Sequence, residues 1–203
     1  MLKPKVVVAG VFGYLRNSSP TVRFAVTVLL GIVGVIVLAI GCILAIAAAK
    51  PSRFTIQRST RIAAPAEAIF PLLNDFHAWN RWSPWEKLDP AMTRSHSGAP
   101  SGKGAVYEWE GNNKVGKGRM EISESMPPTK VVLDLQFITP WEARNVTEFT
   151  LEPNAEGTHV VWAMSGQHNF TAKVMAVFMN MDTLVGKDFE KGLATIKQVA
   201  ETS

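Results

Sequence analysis

The chain has 203 residues, 47% of them hydrophobic and 19% charged, room for one ordinary domain and an appendage with less charge than the roughly 25% of soluble domains. Lys3, Lys5, Arg16 and Arg23 precede residue 50 without an acid, while the other 17 basic residues and all 17 acids fall in 50–203. The excess charge therefore belongs to a short tail, which argues against nucleic acid as a partner, and the single Cys42 excludes an internal disulfide framework or a cysteine metal cluster.

After a basic tail at 1–23, residues 24–49 carry no charge and are bracketed by Arg23 and Lys50. As a helix this run reaches about 39 Å, more than the ~30 Å hydrocarbon core, and it exceeds the ~7–15 residues of a signal-peptide core. It reads as an uncleaved single-pass anchor in a bilayer. Basic residues flank it nearly equally (Lys50, Arg53, Arg58 and Arg61 follow), so the positive-inside rule leaves its sidedness undecided. Gly34, Gly41 and Ala45 fall near one helix face, a pattern that permits close helix approach and a homodimer.

Residues 50–203 form one domain without repeats or a low-complexity linker. A strand is expected at 54–62, then a short helix opened by Pro65 at its first position and shortened by Pro71. An aromatic, irregular stretch covers 75–88. Alternation then predicts strands at 105–110, 118–126, 130–138, 145–152 and 158–166. Tyr107 and Trp109 share one face, as do Met120 with Ile122, Leu133 with Leu135 and Phe137, and Trp162 with Met164. From Phe170 to Ala200 the apolar spacing predicts one long helix, with a bend near 182–186. This is an α+β layout, a curved antiparallel sheet over a terminal helix, with space between them for a ligand.

The strings Asn74-Asp-Phe-His-Ala-Trp79-Asn-Arg-Trp82-Ser-Pro-Trp85, Tyr107-Glu-Trp109-Glu-Gly111-Asn112, Val115-Gly116-Lys-Gly118, Gly157-Thr158-His-Val-Val-Trp162 and Asp188-Phe-Glu-Lys-Gly192-Leu193 resemble the polyketide cyclase/dehydrase and lipid-transport family of the START-like (SRPBCC, helix-grip) superfamily. The resemblance covers about residues 54–200. It implies a seven-stranded antiparallel sheet gripping the C-terminal helix around a hydrophobic pocket. With its N-terminal span the chain is also similar to bacterial members anchored in the inner membrane. No single activity follows, since this fold hosts carriers, cyclases, hydrolases and co-chaperones.

Gly111–Gly118 approaches a phosphate-binding loop, but Gly118 stands where Ser or Thr is needed and a strand follows instead of a helix, so it reads as a hairpin. His77, His96, His159 and His168 are dispersed, and neither a metal nor another cofactor is implied. No nucleophile elbow is present. Ligand contacts are expected from the inward aromatic and methionine set: Tyr107, Trp109, Met120, Phe137, Trp162, Met164, Met175, Phe178 and Met179. Asp182, on the apolar helix face, would supply a polar contact or cap a restarting helix, and outward-facing Arg119 is the weaker polar choice. The same side chains would equally fill a core. Trp79, Trp82 and Trp85 read as packing under the helices, with a membrane interface or the pocket mouth as alternatives.

Three functions remain open at this level: a membrane-anchored carrier or sensor of a lipid-like or polycyclic molecule, an interaction module with a filled core, or a cyclase/dehydratase. For the last, Asp182, Tyr107 and His168 are the titratable candidates, and no two form a recognisable pair. No catalytic residue is assigned.

Overall fold

The computed structural model describes residues 19–202; most of the basic tail lies outside them. The chain divides into two compact units, with the boundary after Lys50. In the first, helix α1 spans Pro20–Ala49, with the Ser19 hydroxyl accepting from the Val22 N–H at 3.4 Å and Pro20 at its start. The helix thus begins before the uncharged run and takes in Arg23. It is long and apolar enough to cross a membrane. A Cβ at Gly34 or Gly41 would meet nothing within 4 Å.

The second unit starts with β1 (Arg53–Ile62) and α2 (Ala66–Asn74). Pro65 is the cap of α2 and not its first residue, and Pro71 sits inside it. The irregular stretch folds as two 3-10 helices, Phe76–Arg81 and Pro84–Lys87. Strands β2 (Thr93–Gly98), β3 (Ala105–Glu110), β4 (Lys117–Met126), β5 (Lys130–Thr139), β6 (Ala143–Asn154) and β7 (Gly157–Gln167) follow. Helices α3 (Phe170–Phe178) and α4 (Met181–Glu201) close the chain.

All seven strands form one antiparallel sheet in the order β1-β7-β6-β5-β4-β3-β2. Every neighbouring pair except β1–β7 is joined by a local connection, and β1, though first in the chain, forms the edge beside β7, the last strand. Strand β2 has no hydrophobic pattern; its residues, Thr-Arg-Ser-His-Ser-Gly, suit an edge with a wet face.

The expected single terminal helix is two. Met179 is extended (φ −127°, ψ 132°), and the Asn180 side chain accepts from the Thr183 N–H at 3.2 Å to cap a new helix. The break therefore precedes the expected bend at 182–186, and the cap is Asn180, not Asp182. After it α4 lies against β1 and α2, burying Phe189, Leu193 and Ile196. The hydrophobic core draws only on residues 54–200.

Candidate functional site

Strand alternation sends one set of side chains to the concave, helix-facing side, and the register brings them into rows. One row runs Phe54, Gly166, Asn145, Leu135, Met120, Tyr107 and His96 across the sheet. A second joins Phe137, Gly118 and Trp109. Met164 lies opposite Ile56 and Thr147, and Trp162 opposite Phe149. The sheet thus brings together the six expected strand residues: Tyr107, Trp109, Met120, Trp162 and Met164 are buried and Phe137 is half-buried.

The helical candidates do not all join them. Met175 is half-buried, whereas Phe178 and Met179 are exposed; the chain leaves its helical path at Met179, so the inward phase is lost there. Asp182 corrects the inward-face expectation too. Its side chain is 56% exposed in the first turn of α4 and meets Arg58 at 3.1 Å, while Arg58 Nε donates to Glu190 at 2.7 Å. Hydrogen bonding from Arg58 holds the Asp182 carboxyl below its ordinary range. Arg119 points outward as expected, to Glu121 at 2.7 Å.

Aromatic packing occupies the space between sheet and α4. Trp162 stacks on Phe189 with ring centres 4.1 Å apart and planes 9° apart, and Trp82 and Trp85 meet it edge-on. Trp79 and Trp82 donate to the Leu73 and Leu72 carbonyls at 3.2 and 2.7 Å. These indoles are core packing at the end of α2. The Trp162 indole is different. Only 2% exposed, its Nε1–H is buried without a hydrogen-bond partner among the described residues, a state that costs about 1–3 kcal/mol. Asn145 is a buried amide on the same face. Gly166 makes room for it: a Cβ there would come within 2.1 Å of Asn145 Oδ1. Beyond these groups the concave face is only partly covered, with Phe54, Leu135, Phe137 and Met175 half-buried.

A polar network missed by the sequence reading lies at the other side of the row. Glu86 Oε1 accepts from the Tyr107 hydroxyl at 2.5 Å, and its Oε2 accepts from Arg94 Nε at 2.6 Å; the Glu86 side chain is 9% exposed. Burial, reinforced by Glu86, pushes the Tyr107 phenol well above its ordinary value. Tyr107 thus keeps its proton and commits it to Glu86. Next to it, His96 stacks on His77 at 4.2 Å beside a surface recess of about 140 Å³, and His77 Nδ1 lies 2.8 Å from Asp75 Oδ1. Burial, then the neighbouring His77, lower the His96 pKa.

Asp182, Tyr107 and His168 do not meet. His168 stacks on Phe54 at 4.6 Å, five strand intervals from Tyr107, about 24 Å along the sheet. Gly111–Gly118 is the β3–β4 hairpin, with Gly116 at φ +64°. Among the described residues no group of three or more His, Cys, Asp or Glu side chains is placed to hold a metal.

Residues 53–201 match the family described as polyketide cyclase / dehydrase and lipid transport. No curated relative matches the sequence. Among solved structures, a protein from Chromobacterium violaceum is 15% identical with a TM-score of 0.53, covering 74% of this chain and 99% of its own. The Aha1 dimer from Colwellia psychrerythraea is 17% identical, TM-score 0.53, covering 73% and 96%. The di-domain ARO/CYC BexL from the BE-7585A biosynthetic pathway is 14% identical, TM-score 0.55, covering 78% of this chain and 53% of its own. At these identities the likeness is one of fold. The first two neighbours consist almost wholly of the part matched here.

Proposed function

The chain belongs to the polyketide cyclase/dehydrase and lipid transport family, and from that premise we propose that it is a membrane-anchored carrier or sensor of a lipid-like or polycyclic molecule bearing a hydrogen-bond-accepting oxygen. The observation that carries this reading is the unpartnered Trp162 Nε1–H on the concave face. A carbonyl, ester or hydroxyl oxygen would accept from it, and the amide of Asn145 offers a second polar contact. Tyr107, Trp109, Met120, Phe137, Met164 and Met175 supply flat and adaptable apolar walls. Helix α1 is the anchor, in a bacterial inner membrane, and keeps the domain beside a bilayer source at high effective concentration. Gly34, Gly41 and Ala45 form a candidate seam for a second copy.

A tricyclic quinone titrated into residues 51–203 is the test, read by quenching of the interior tryptophans. Saturable quenching is expected, with Trp162→Phe weakening the affinity by about two- to tenfold, the worth of one hydrogen bond. No saturable quenching, or an unchanged affinity in Trp162→Phe, would count against the site. A second reading, an interaction module with a filled core, is favoured by the Trp162–Phe189 stack; it predicts no stabilisation by any small molecule. The separation of Asp182, Tyr107 and His168 gives a cyclase or dehydratase no acid–base pair among the sequence candidates.

A further inference from the structure

The two ends of the sheet differ. At one end the start of β1 pairs with the end of β7, and the β5–β6 and β3–β4 hairpins lie alongside, as the registers Arg53↔Gln167, Phe137↔Ala143, Lys117↔Thr139 and Glu110↔Lys117 require. This end displays large apolar side chains. Trp141, at the hairpin tip, is 62% exposed and Phe170, three residues after β7, is 54% exposed; Ile138, near the end of β5, is also exposed. Strands β6 and β7 are neighbours, so Trp141 and Phe170 leave the sheet side by side.

The charge at this end is also distinctive. Arg53, Lys114, Arg144 and Lys173 lie here, and none is in a salt bridge among the described residues. Of the acids nearby, Glu110 is taken by Lys117 at 2.7 Å, Asp89 is buried and accepts from the Asn112 N–H at 2.7 Å but meets no base, and Glu142 is in no salt bridge among the described residues, so two acids stand against the four bases. At the opposite end Arg61 pairs with Glu156, Lys130 with Glu124 and Lys197 with Glu201, while Lys103, in the β2–β3 loop, is in no salt bridge among the described residues.

The chain enters at the cationic, aromatic end. Helix α1 ends at Ala49 and β1 begins at Arg53, a tether that extends to no more than about 14 Å. The His168 N–H donates to the Ser52 carbonyl at 2.8 Å, tying the last tether residue to the exit of β7. Tryptophan at a polar–apolar boundary and unpaired cations beside it are what an anionic lipid headgroup layer selects.

We propose that this end of the domain, centred on Trp141 and Phe170 with Arg53, Lys114, Arg144 and Lys173 around them, is a docking surface for an anionic bilayer. It adds to the anchoring helix a second, reversible contact through the domain itself. The tether argument rests on the anchor reading; the composition of the surface does not.

The test uses residues 51–203, whose core is self-contained, in sedimentation with phosphatidylcholine vesicles with and without about one-third phosphatidylglycerol. Binding is expected with the anionic vesicles and is expected to be lost at high salt. Trp141→Ser/Phe170→Ser should weaken partitioning about tenfold, and Lys114→Glu/Lys173→Glu should weaken it about fivefold per site and abolish the preference for phosphatidylglycerol. All four positions are at the surface or at its edge, so circular dichroism and the melting temperature should be unchanged. Failure to sediment with anionic vesicles, or binding indifferent to both variants, overturns the proposal. Alkaline carbonate extraction of the full chain tests the anchor separately: release of the chain removes the tether argument, whereas retention in the pellet alongside vesicle binding by the fragment supports both.

Discussion

Replacing Gly118 with alanine tests whether the concave face is packed as described. A Cβ at this position would stand 2.3 Å from Trp109 Cζ2 and 2.6 Å from the Gln136 carbonyl oxygen. One neighbour is a buried ring and the other is backbone, so neither yields easily. Overpacking of this kind costs about 1–3 kcal/mol. Moving the ring also breaks the Trp109 Nε1–H bond to the Val115 carbonyl, 3.0 Å long, worth about 0.5–1.5 kcal/mol more. Alanine recovers less than about 1 kcal/mol of strand preference. The expected net loss is about 2–3 kcal/mol, or roughly 4–12 °C in melting temperature for a domain of this size. Urea unfolding should show a lower midpoint at constant m. Trp109→Leu in the alanine background should recover more than about 1 kcal/mol of the loss, measured as a double-mutant coupling. A Gly118→Ala domain that melts with the wild type would refute the placement of Trp109 over β4.

Other substitutions probe the helix and the edges. Gly192→Ala would place a Cβ 2.7 Å from the Trp162 ring, which its stack on Phe189 holds in place; after a helix-propensity gain of about 1 kcal/mol, calorimetry should still show a net loss of up to about 2 kcal/mol. Asp182→Ala should leave quinone affinity unchanged, because the carboxylate faces Arg58 and solvent; a lost site would return Asp182 to the interior. His96 faces the His77 and Tyr107 rings, with the Asp75 and Glu86 carboxylates nearby. Its folded pKa is lowered, so the unfolded chain binds the proton more readily, and the His96 contribution is full above about pH 6.5 and falls as the pH drops below it. Melting temperatures between pH 7 and 5 should therefore fall more in the wild type than in His96→Asn, and equal slopes would remove His96 as the cause.

How legible this architecture was in the sequence depended on where each segment packs. Strands with one buried and one wet face, such as Thr147-Glu148-Phe149-Thr150-Leu151, alternate plainly and were placed to within a few residues. Strand β2 was missed because an edge strand with exposed Thr, Ser and His side chains carries no alternation, and only its pairing with β3 defines it. The break at Met179–Asn180 precedes the expected bend at 182–186 because an extended Met179 and the Asn180 cap set it, whereas Gly186 and Gly192 lie inside α4, where Arg58 and Trp162 occupy the space a Cβ would need. The concave set on the strands followed from alternation. The Tyr107–Glu86–Arg94 network did not, since Glu86 lies in a 3-10 turn whose position depends on long-range packing. Asp-x-His at 75–77 was the one local sign of that polar corner, through the Asp75–His77 hydrogen bond.

The central claim is that the concave face receives a hydrophobic molecule whose oxygen meets Trp162. Native mass spectrometry of residues 51–203, purified from the host without detergent, tests it most directly. The account predicts a co-purifying lipid-sized mass in the wild type and reduced occupancy in Trp162→Phe. A clean apo mass in the wild type, with no thermal shift from a panel of lipids and polyketides, would contradict it and favour the filled-core interaction module.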